Sequence, residues 1–406
     1  MRKTVSTLMM SAALMFGAGQ AAFAQDKVAK IGVLNDQSGL YADVTGPGST
    51  LAAQMAIEDS GLLAKGWKID VVVGDHLHKP DVGVNIARQW FDRDKVDVIV
   101  DVPTSSVGLA VNNVVKEKNG VYLNSGSGTS DLSNAQCSPN TIHWAYDTYQ
   151  LANGTGSAMV KSGGDTWFFL TADYAFGSAL ERDTTNAVSA MGGKSIGSVR
   201  HPLNTSDFSS FLLQAQASKA KVIGLANAGG DTINAIKQAS EFGIVKGGQK
   251  LAGLLMFVSD VHALGLNVAN GLNFTETFYW DLNDGTRAFS KRFQERSKNK
   301  SMPTTVQAGV YSSLIHYFKV LDAMGGNSHD GLKIVEKMKA TPTDDIIFGK
   351  GTIQPNGRKL HPAYLFEVKK PSESKGPWDY YKLIATIPAD QAFTPLAKSS
   401  CPLLKS

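Results

Sequence analysis

Short runs of β-branched and apolar residues alternate with longer helical patterns along this chain, and that alternation limits its fold more than any other feature. Strands are indicated first at 28–34, 69–73, 96–100 and 121–123, and helices at 49–59, 82–91 and 107–116. After residue 140 the order starts again, with strands at 167–171, 196–199, 222–226 and 251–257 and helices at 176–190, 208–217 and 232–242. A repeated strand–helix–strand order predicts a parallel sheet with helices on both faces. The expected fold class is therefore α/β, with two Rossmann-like doubly wound lobes.

The segment that follows predicts how the two lobes are connected. This part of the chain offers one apolar stretch, 272–280, before two helical patterns at 286–297 and 304–324. One strand is too few for a third sheet. We therefore expect a return to the first lobe, with crossings near 143–146, 277–280 and 362–366 that form a hinge. The predicted domains are a signal peptide at 1–24, lobe 1 at 25–144 and 278–361, and lobe 2 at 145–277 and 362–406 with the C-terminal tail. Ligands of such sheets bind beyond the carboxyl ends of the strands.

The first residues indicate export. Arg2 and Lys3 precede an apolar run at 8–18 and the small-residue site Ala22-Phe23-Ala24, which is the pattern of a secretory signal peptide. The run is shorter than the ~20 apolar residues of a spanning helix, so a membrane anchor is the weaker alternative. No cysteine follows the cleavage site to carry a lipid. We expect a free protein that begins at Gln25 and resides in a bacterial periplasm.

Charge and cysteine content narrow the possible partners. The 40 lysine and arginine residues nearly balance the 36 acidic ones and are scattered along the chain, which does not favour binding to nucleic acid. Cys137 and Cys401 are the only cysteines. In an oxidising compartment such a pair predicts a disulfide, with two free thiols as the alternative.

Zinc-helix and P-loop motifs are absent from the sequence. It contains no zinc-binding helix motif and no P-loop lysine. His76 and His78 lie two residues apart, and we interpret them as an exposed loop pair rather than as metal ligands. We expect neither an enzyme nor a bound cofactor.

Candidate ligand-binding residues follow the predicted strands. In the first lobe they are Tyr41, Ser105, Ser106, Gly126, Ser127 and Thr129, and in the second Tyr174, Phe176, Asn227, Asp231 and Phe257. Serines at a helix start offer hydroxyl and amide N–H groups to a carboxylate, and glycine lets the backbone approach a ligand. The alternative for the polar residues is ordinary capping, and for the aromatic residues packing in the core.

Four stretches occur in the order seen in the leucine/isoleucine/valine-binding type of periplasmic binding protein: Asp36-Gln-Ser-Gly-Leu-Tyr-Ala, the turn at Ser105-Ser106, Asn124-Ser-Gly-Ser-Gly-Thr and Asp173-Tyr-Ala-Phe-Gly. The chain resembles that family over essentially its whole mature length. The resemblance implies two lobes that close over one small molecule without making or breaking a bond. It implies first-lobe contacts at Tyr41, Ser105 or Ser106, Gly126, Ser127 and Thr129. The second-lobe aromatic position falls on Phe176, where amino-acid binders tend to have Tyr.

A departure from the family pattern bears on the ligand. Where amino-acid binders place an acidic residue for the ammonium group, this chain reads Met256-Phe257-Val258-Ser259. An apolar second lobe with a hydroxyl-rich first lobe suits an aromatic carboxylate, and the chain resembles the branch that takes up benzoate- and hydroxycinnamate-like acids. We expect a monomer that delivers such an acid to the membrane permease of an ABC importer. The alternatives are a branched-chain amino acid, with Asp231 or Asp260 as ammonium partner, an amide, or a ligand-sensing module for a separate receptor.

Overall fold

Five parallel strands form the first sheet, in the order β2-β1-β3-β4-β5. The computed structural model describes residues 26–405, so the predicted signal peptide lies outside the described residues. The strands are β1 (Val28–Asn35), β2 (Lys68–Asp75), β3 (Val98–Asp101), β4 (Val121–Asn124) and β5 (Thr141–His143). Every residue of β3 and β4 is buried, as expected for parallel strands covered by helices on both faces.

The second sheet is also parallel, with the order β7-β6-β8-β9. Its strands are β6 (Thr166–Ala172), β7 (Lys194–His201), β8 (Val222–Ala226) and β9 (Lys250–Gly253). The strand predicted at 251–257 is too long, because the chain folds back on itself after Gly253. A Cβ atom at Gly253 would lie 2.4 Å from the sulfur of Met256. The two doubly wound α/β units are thus confirmed.

A third sheet is antiparallel, with the order β10-β13-β14. It consists of β10 (Asn273–Glu276), β13 (Ala363–Val368) and β14 (Tyr381–Ile387), while β11 (Thr352–Ile353) and β12 (Lys359–Leu360) form a short hairpin. The expectation that no third sheet forms is wrong, because the C-terminal part of the chain supplies two strands that pair with β10.

Helices fill the connections between the strands. Those up to β6 are α1 (Gly46–Asp59), α2 (Pro80–Gln89), α3 (Ser105–Glu117), α4 (Thr148–Leu151) and α5 (Ser157–Lys161). Those that pack around the second sheet are α6 (Ala175–Ala190), α7 (Ser209–Ala217), α8 (Gly230–Glu241), α9 (Val258–Leu264) and α10 (Leu266–Ala269). The remaining ones are α11 (Asp284–Arg296), α12 (Thr305–Ala323), α13 (Gly331–Ala340) and α14 (Ala389–Ala392).

The chain between β10 and β11 packs against the first sheet. Helix α12 lies along α1 and against β3 and β4, and Thr304 Oγ1 at its start donates to Val44 O at 2.7 Å. Helix α11 contacts the same surface, where Arg292 donates to both carboxylate oxygens of Asp59 at 2.8 and 2.9 Å. The predicted return to the first lobe agrees with this packing, while the exact lobe boundaries stay a prediction.

A disulfide joins Cys137 to Cys401, as predicted, with the two Cα atoms 5.6 Å apart and a sequence separation of 264. Closing a loop of that length restricts the unfolded chain and stabilises the fold by up to about 5 kcal/mol in the loop-entropy model. The tail that carries Cys401 packs beside the crossings, and the ring of Phe393 lies 4.1 Å from the guanidinium carbon of Arg358.

A buried arginine holds the crossing after β5. Arg358 is 1% exposed, and its Nη2 atom donates to the carbonyl oxygens of Trp144 and Ala145 at 2.8 Å each. Its Nη1 atom donates to Tyr146 O at 3.3 Å and lies 3.5 Å from Asp147 Oδ2. Burial raises the pKa of Asp147 to about 6, although the positive charge of Arg358 opposes the shift. One side chain thus donates to three consecutive carbonyl groups and lies within ion-pair distance of a buried carboxyl group.

Replacing Arg358 by Met should destabilise the protein by roughly 3 to 5 kcal/mol, because it leaves Asp147 and three carbonyl groups without their partner. Urea denaturation followed by circular dichroism measures the change. Arg88→Met is the control, since Arg88 forms a two-pronged pair with Glu117 on the surface and should leave the midpoint nearly unchanged. Equal midpoints for the two variants would contradict this account of the crossing.

Candidate ligand-binding site

A cavity lies where the carboxyl ends of the two parallel sheets face each other. Its walls are Tyr41, Val44, Pro103, Tyr146, Tyr174, Phe176, Ala228, Leu255, Phe257 and Val306. Apart from Val306 on α12, the wall residues follow β1, β3, β5, β6, β8 and β9, which is the position expected for ligands of open parallel sheets. All of them are apolar or phenolic, so no charged side chain of the described residues lines this cavity. Its volume is about 20 Å³, room for about one water molecule, so a larger solute enters only when the walls separate.

The two sides of the cavity touch through a pair of tyrosines. The hydroxyl oxygens of Tyr41 and Tyr174 are 2.7 Å apart. Burial raises the pKa of Tyr41 well above its ordinary value, so its hydroxyl stays protonated. The backbone of the second side also reaches Tyr41: Gly229 has a φ of +56°, and a Cβ atom there would lie 2.9 Å from the Tyr41 ring. Both the conformation and the close contact require glycine at this position.

Aromatic rings make up most of the remaining wall. Tyr146 meets Phe257 edge to face with the ring centroids 6.1 Å apart, and Tyr174 lies 6.0 Å from Phe176. The hydroxyl of Tyr146 donates to Gly126 O at 2.7 Å, which fixes the ring. Tyr146 follows the three-residue strand β5, which is too short for its pattern to be seen in the sequence, and this is why it was missed as a candidate.

The predicted hydroxyl-bearing residues Ser105, Ser127 and Thr129 are not part of the wall, and their side chains form hydrogen bonds with nearby backbone groups. Ser105 Oγ accepts a hydrogen bond from Thr129 N at 3.2 Å, Thr129 Oγ1 accepts one from Asp131 N at 3.4 Å, and Ser127 Oγ donates to Val102 O at 2.5 Å. Gly126 is packed so closely that a Cβ atom would lie 2.6 Å from Asp101 Oδ1. Ser106 is half-buried at the start of α3 and is not part of the wall.

Two predicted residues of the second side are also bonded away from the cavity. Asn227 accepts from the hydroxyl of Thr232 at 2.7 Å. Asp231 accepts from the backbone amides of Asn204 and Thr205 at 3.1 and 2.8 Å. Burial raises the pKa of Asp231 to about 6 despite these two donors. The structure thus gathers Tyr41, Tyr174, Phe176 and Phe257 at the cavity and places Asn227 and Asp231 in the surrounding framework.

The loop after β2 differs from its prediction as an exposed histidine pair. His76 is fully buried, and burial lowers its pKa to about 3. The side chain of His78 is 17% exposed; its Nε2 lies 2.8 Å from Asp36 Oδ2 and its Nδ1 lies 2.7 Å from Thr104 Oγ1. The loop turns at Leu77 and His78, which both have left-handed φ values, +52° and +58°. Within residues 26–405, no group of three or more side chains is arranged to bind a metal ion.

A larger groove, of about 750 Å³, lies elsewhere on the second side. It is lined in part by Leu251 and Leu272, at the amino ends of β9 and β10, and by Ile236 of α8. Because ligands of parallel sheets bind at the carboxyl ends of the strands, the smaller cavity is the better candidate.

The chain belongs to the periplasmic binding protein family, because residues 28–376 match that family. In this class two lobes bind a solute for an ABC transporter in the periplasm, and the cavity between the sheets has the corresponding position. No helix within residues 26–405 combines the length and the apolar character needed to span a membrane.

Solved structures and a curated relative agree with this assignment. A periplasmic binding protein from Burkholderia mallei is 51% identical, with a TM-score of 0.88 over 93% of this chain and 99% of that one. A branched chain amino acid ABC transporter periplasmic ligand-binding protein from Burkholderia xenovorans LB400 is 40% identical, with a TM-score of 0.81 over 93% and 100%. A solute binding protein from R. palustris in complex with benzoate is 20% identical, with a TM-score of 0.79 over 92% and 99%, and shares the fold. The Leu/Ile/Val-binding protein homolog 6 of Brucella melitensis is 24% identical over 363 residues, 87% of this chain and 90% of the relative.

Asp101, at the end of β3, offers a test of the electrostatics behind the cavity wall. It is fully buried, with a φ of +78°, and burial raises its pKa to about 7, against about 3.9 in an unfolded chain. The folded protein therefore holds this proton more tightly than the unfolded chain does. The contribution of Asp101 to stability is complete below about pH 4 and declines as the pH rises to about 7.

Asp101→Asn should make the free energy of unfolding fall less steeply between pH 4 and pH 7, because asparagine has no proton to lose and tolerates a left-handed φ. At pH 8 the variant should be the more stable protein, by on the order of 4 kcal/mol for a shift of about three pKa units. Urea denaturation at several pH values measures this. Asp173→Asn, at an exposed side chain, is the control, and parallel curves for wild type and Asp101→Asn would contradict the prediction.

Proposed function

We propose that this protein captures a small aromatic carboxylate, such as a benzoate or hydroxycinnamate, by closing its two lobes over it. The observation that carries the proposal is the cavity wall itself, in which Tyr146, Phe176 and Phe257 supply aromatic rings. Stacked or edge-to-face contacts of such rings with an aromatic ligand contribute about 0.5 to 1.5 kcal/mol each beyond the buried area. The structural likeness to the R. palustris protein in complex with benzoate supports the same ligand class.

Closure follows from contacts on both sides of the cavity. A ligand shifts the balance between open and closed forms only by its greater affinity for the closed form. Tyr41 and Tyr174 already meet across the cavity, and each phenol can donate or accept a hydrogen bond. A ring hydroxyl on the ligand would therefore find partners on both lobes. The amide groups at the start of α3, which follows Pro103 of the wall, can serve a carboxylate of the ligand.

A branched-chain amino acid is the second candidate, because the relative from Burkholderia xenovorans LB400 is described as a protein of a branched chain amino acid transporter. An ammonium group needs an acidic or carbonyl partner. The wall residues that follow β9 are the apolar Leu255 and Phe257. The carboxyl group of Asp260 already accepts a hydrogen bond from the backbone amide of Phe257 at 3.0 Å. Asp231 is bonded to two amides as well. The geometry therefore favours the aromatic acid.

Thermal unfolding against a panel of solutes tests the proposal. We expect benzoate, 4-hydroxybenzoate or a hydroxycinnamate to raise the midpoint, because a solute that binds only the native state stabilises it. Leucine, valine and simple amides should leave the midpoint unchanged. A rise with the amino acids alone would replace the aromatic acid by the second candidate.

Phe176→Ala should weaken binding of the best aromatic acid by roughly 10- to 100-fold, since it removes a ring from the wall. Isothermal titration calorimetry measures the loss. Phe176→Leu keeps most of the volume and should bind with intermediate affinity, and Phe242→Ala, at an exposed ring, should bind like wild type. Unchanged affinity in Phe176→Ala would place the ligand elsewhere.

A further inference from the structure

Leu40 contacts the other side of the cavity without being part of its wall. The residue precedes Tyr41 in the loop after β1, and its side chain is half-buried. Across from it, α8 begins with Gly230, where a Cβ atom would lie 2.8 Å from Leu40 Cδ1. The leucine side chain therefore packs against backbone that has no room for a side chain of its own.

The loop that carries Leu40 is held firmly on the first side. The carboxyl group of Asp36 accepts hydrogen bonds from the amides of Gly39 and Tyr41 at 2.6 and 2.7 Å. The carbonyl oxygen of Tyr41 accepts another from the amide of Thr45 at 3.0 Å. These bonds close a turn on both sides of Leu40, so its backbone moves together with the first sheet.

The surface that Leu40 meets is held in the same way on the second side. The carbonyl oxygen of Gly229 accepts from the amide of Ile233 at 3.0 Å, in the first turn of α8, and Asp231 accepts from two backbone amides. A Cβ atom at Gly229 would lie 3.1 Å from Leu40 O. The two successive glycines, at 229 and 230, thus give Leu40 a contact surface that is free of side chains.

The contact exists only while the lobes are closed. Leu40 belongs to the loop after β1 of the first sheet and Gly230 to the helix after β8 of the second, so separating the lobes breaks the contact and exposes the leucine to water. Exposure of apolar surface costs free energy, and a contact made in one form alone shifts the balance toward that form. Because a bound solute leaves only when the lobes open, the contact slows its release.

We propose that Leu40 and Gly230 form a seal that sets how long the closed protein retains its solute, with Leu40 acting as a positioning residue that does not contact the solute. The inference rests on the proposed function for the closing motion, and it holds for any solute that the cavity accepts. A weakened seal should therefore speed the release of every solute by the same factor. A residue that contacted the solute would instead change the preference among solutes.

Leu40→Ala tests the seal, and stopped-flow fluorescence measures the association and dissociation rates of 4-hydroxybenzoate and benzoate. We expect dissociation to become roughly 5- to 30-fold faster, because the closed form loses apolar burial, while association changes little, as is usual for variants of one interface. The factor should be the same for both acids.

The matched control is Leu213→Ala, at a leucine of α7 that is 53% exposed, and it should release both acids like wild type. Equal dissociation rates in Leu40→Ala and Leu213→Ala would overturn the inference. A changed preference between the two acids in Leu40→Ala would overturn it as well, because it would show that Leu40 contacts the solute.

An exchange of side-chain size across the contact distinguishes a seal from a general disturbance of the loop. Gly230→Leu places a second side chain where Leu40 already lies, and overpacking of the closed form should speed dissociation roughly tenfold or more. In Leu40→Ala/Gly230→Leu the new leucine occupies the vacated space, and the rate should return to within about threefold of wild type. Effects that simply add in the double variant would contradict the seal. If Gly230→Leu does not fold, Leu40→Ala alone decides.

A cross-link tests the contact without any solute. Leu40→Cys/Gly230→Cys, treated with the short thiol cross-linker dibromobimane, should become fluorescent, whereas Leu40→Cys/Ser240→Cys, with the second thiol near the other end of α8, should not. Absence of fluorescence in the first pair overturns the inference. If no aromatic acid binds, the proposed function fails on its own, and the release of leucine from the same variants then tests the seal.

Discussion

The arrangement of the two lobes depends on the hydrogen bonds of the buried Arg358 guanidinium group. Three consecutive carbonyl groups, at residues 144–146, turn toward it where the chain leaves the first sheet. A buried carbonyl group without a donor costs free energy comparable to a lost hydrogen bond. The crossing therefore favours the conformation in which Arg358 donates to all three carbonyl groups. Tyr146, the last of the three, then enters the cavity wall, and the hinge and the site share a residue.

The cavity combines a rigid framework with a movable contact. Hydroxyl groups of the first side are bonded within the loop and to the start of α3, and Asp231 is bonded within the second side. Between the lobes the structure has rings in contact and one tyrosine–tyrosine hydrogen bond. Contacts of this kind can be replaced by a ligand at little cost, because a bound ring and hydroxyl would offer similar partners.

The sequence predicts the parts of this fold that depend on local pattern. The apolar runs of β3 and β4 and the amphipathic helices α6 and α11 are recognisable because their periodicity reflects burial. β5 has three residues and escapes that test, and the sheet of β10 and β13 joins segments about 90 residues apart that no local pattern connects. Strand ends correctly direct attention to Tyr41, Tyr174, Phe176 and Phe257, whose role as ligand contacts stays a prediction. The inward turn at His78 could not be foreseen, because two successive left-handed residues are stabilised by their surroundings and not by their own preferences.

The disulfide between Cys137 and Cys401 makes most of the chain a covalent ring. All three predicted crossings between the lobes lie inside that ring, because they fall between residues 143 and 366. A protease that cuts one exposed loop anywhere within it leaves the two fragments bonded to each other until the disulfide is reduced. In a compartment that contains proteases but no protein synthesis, a molecule cut once therefore keeps its two lobes joined and can remain functional.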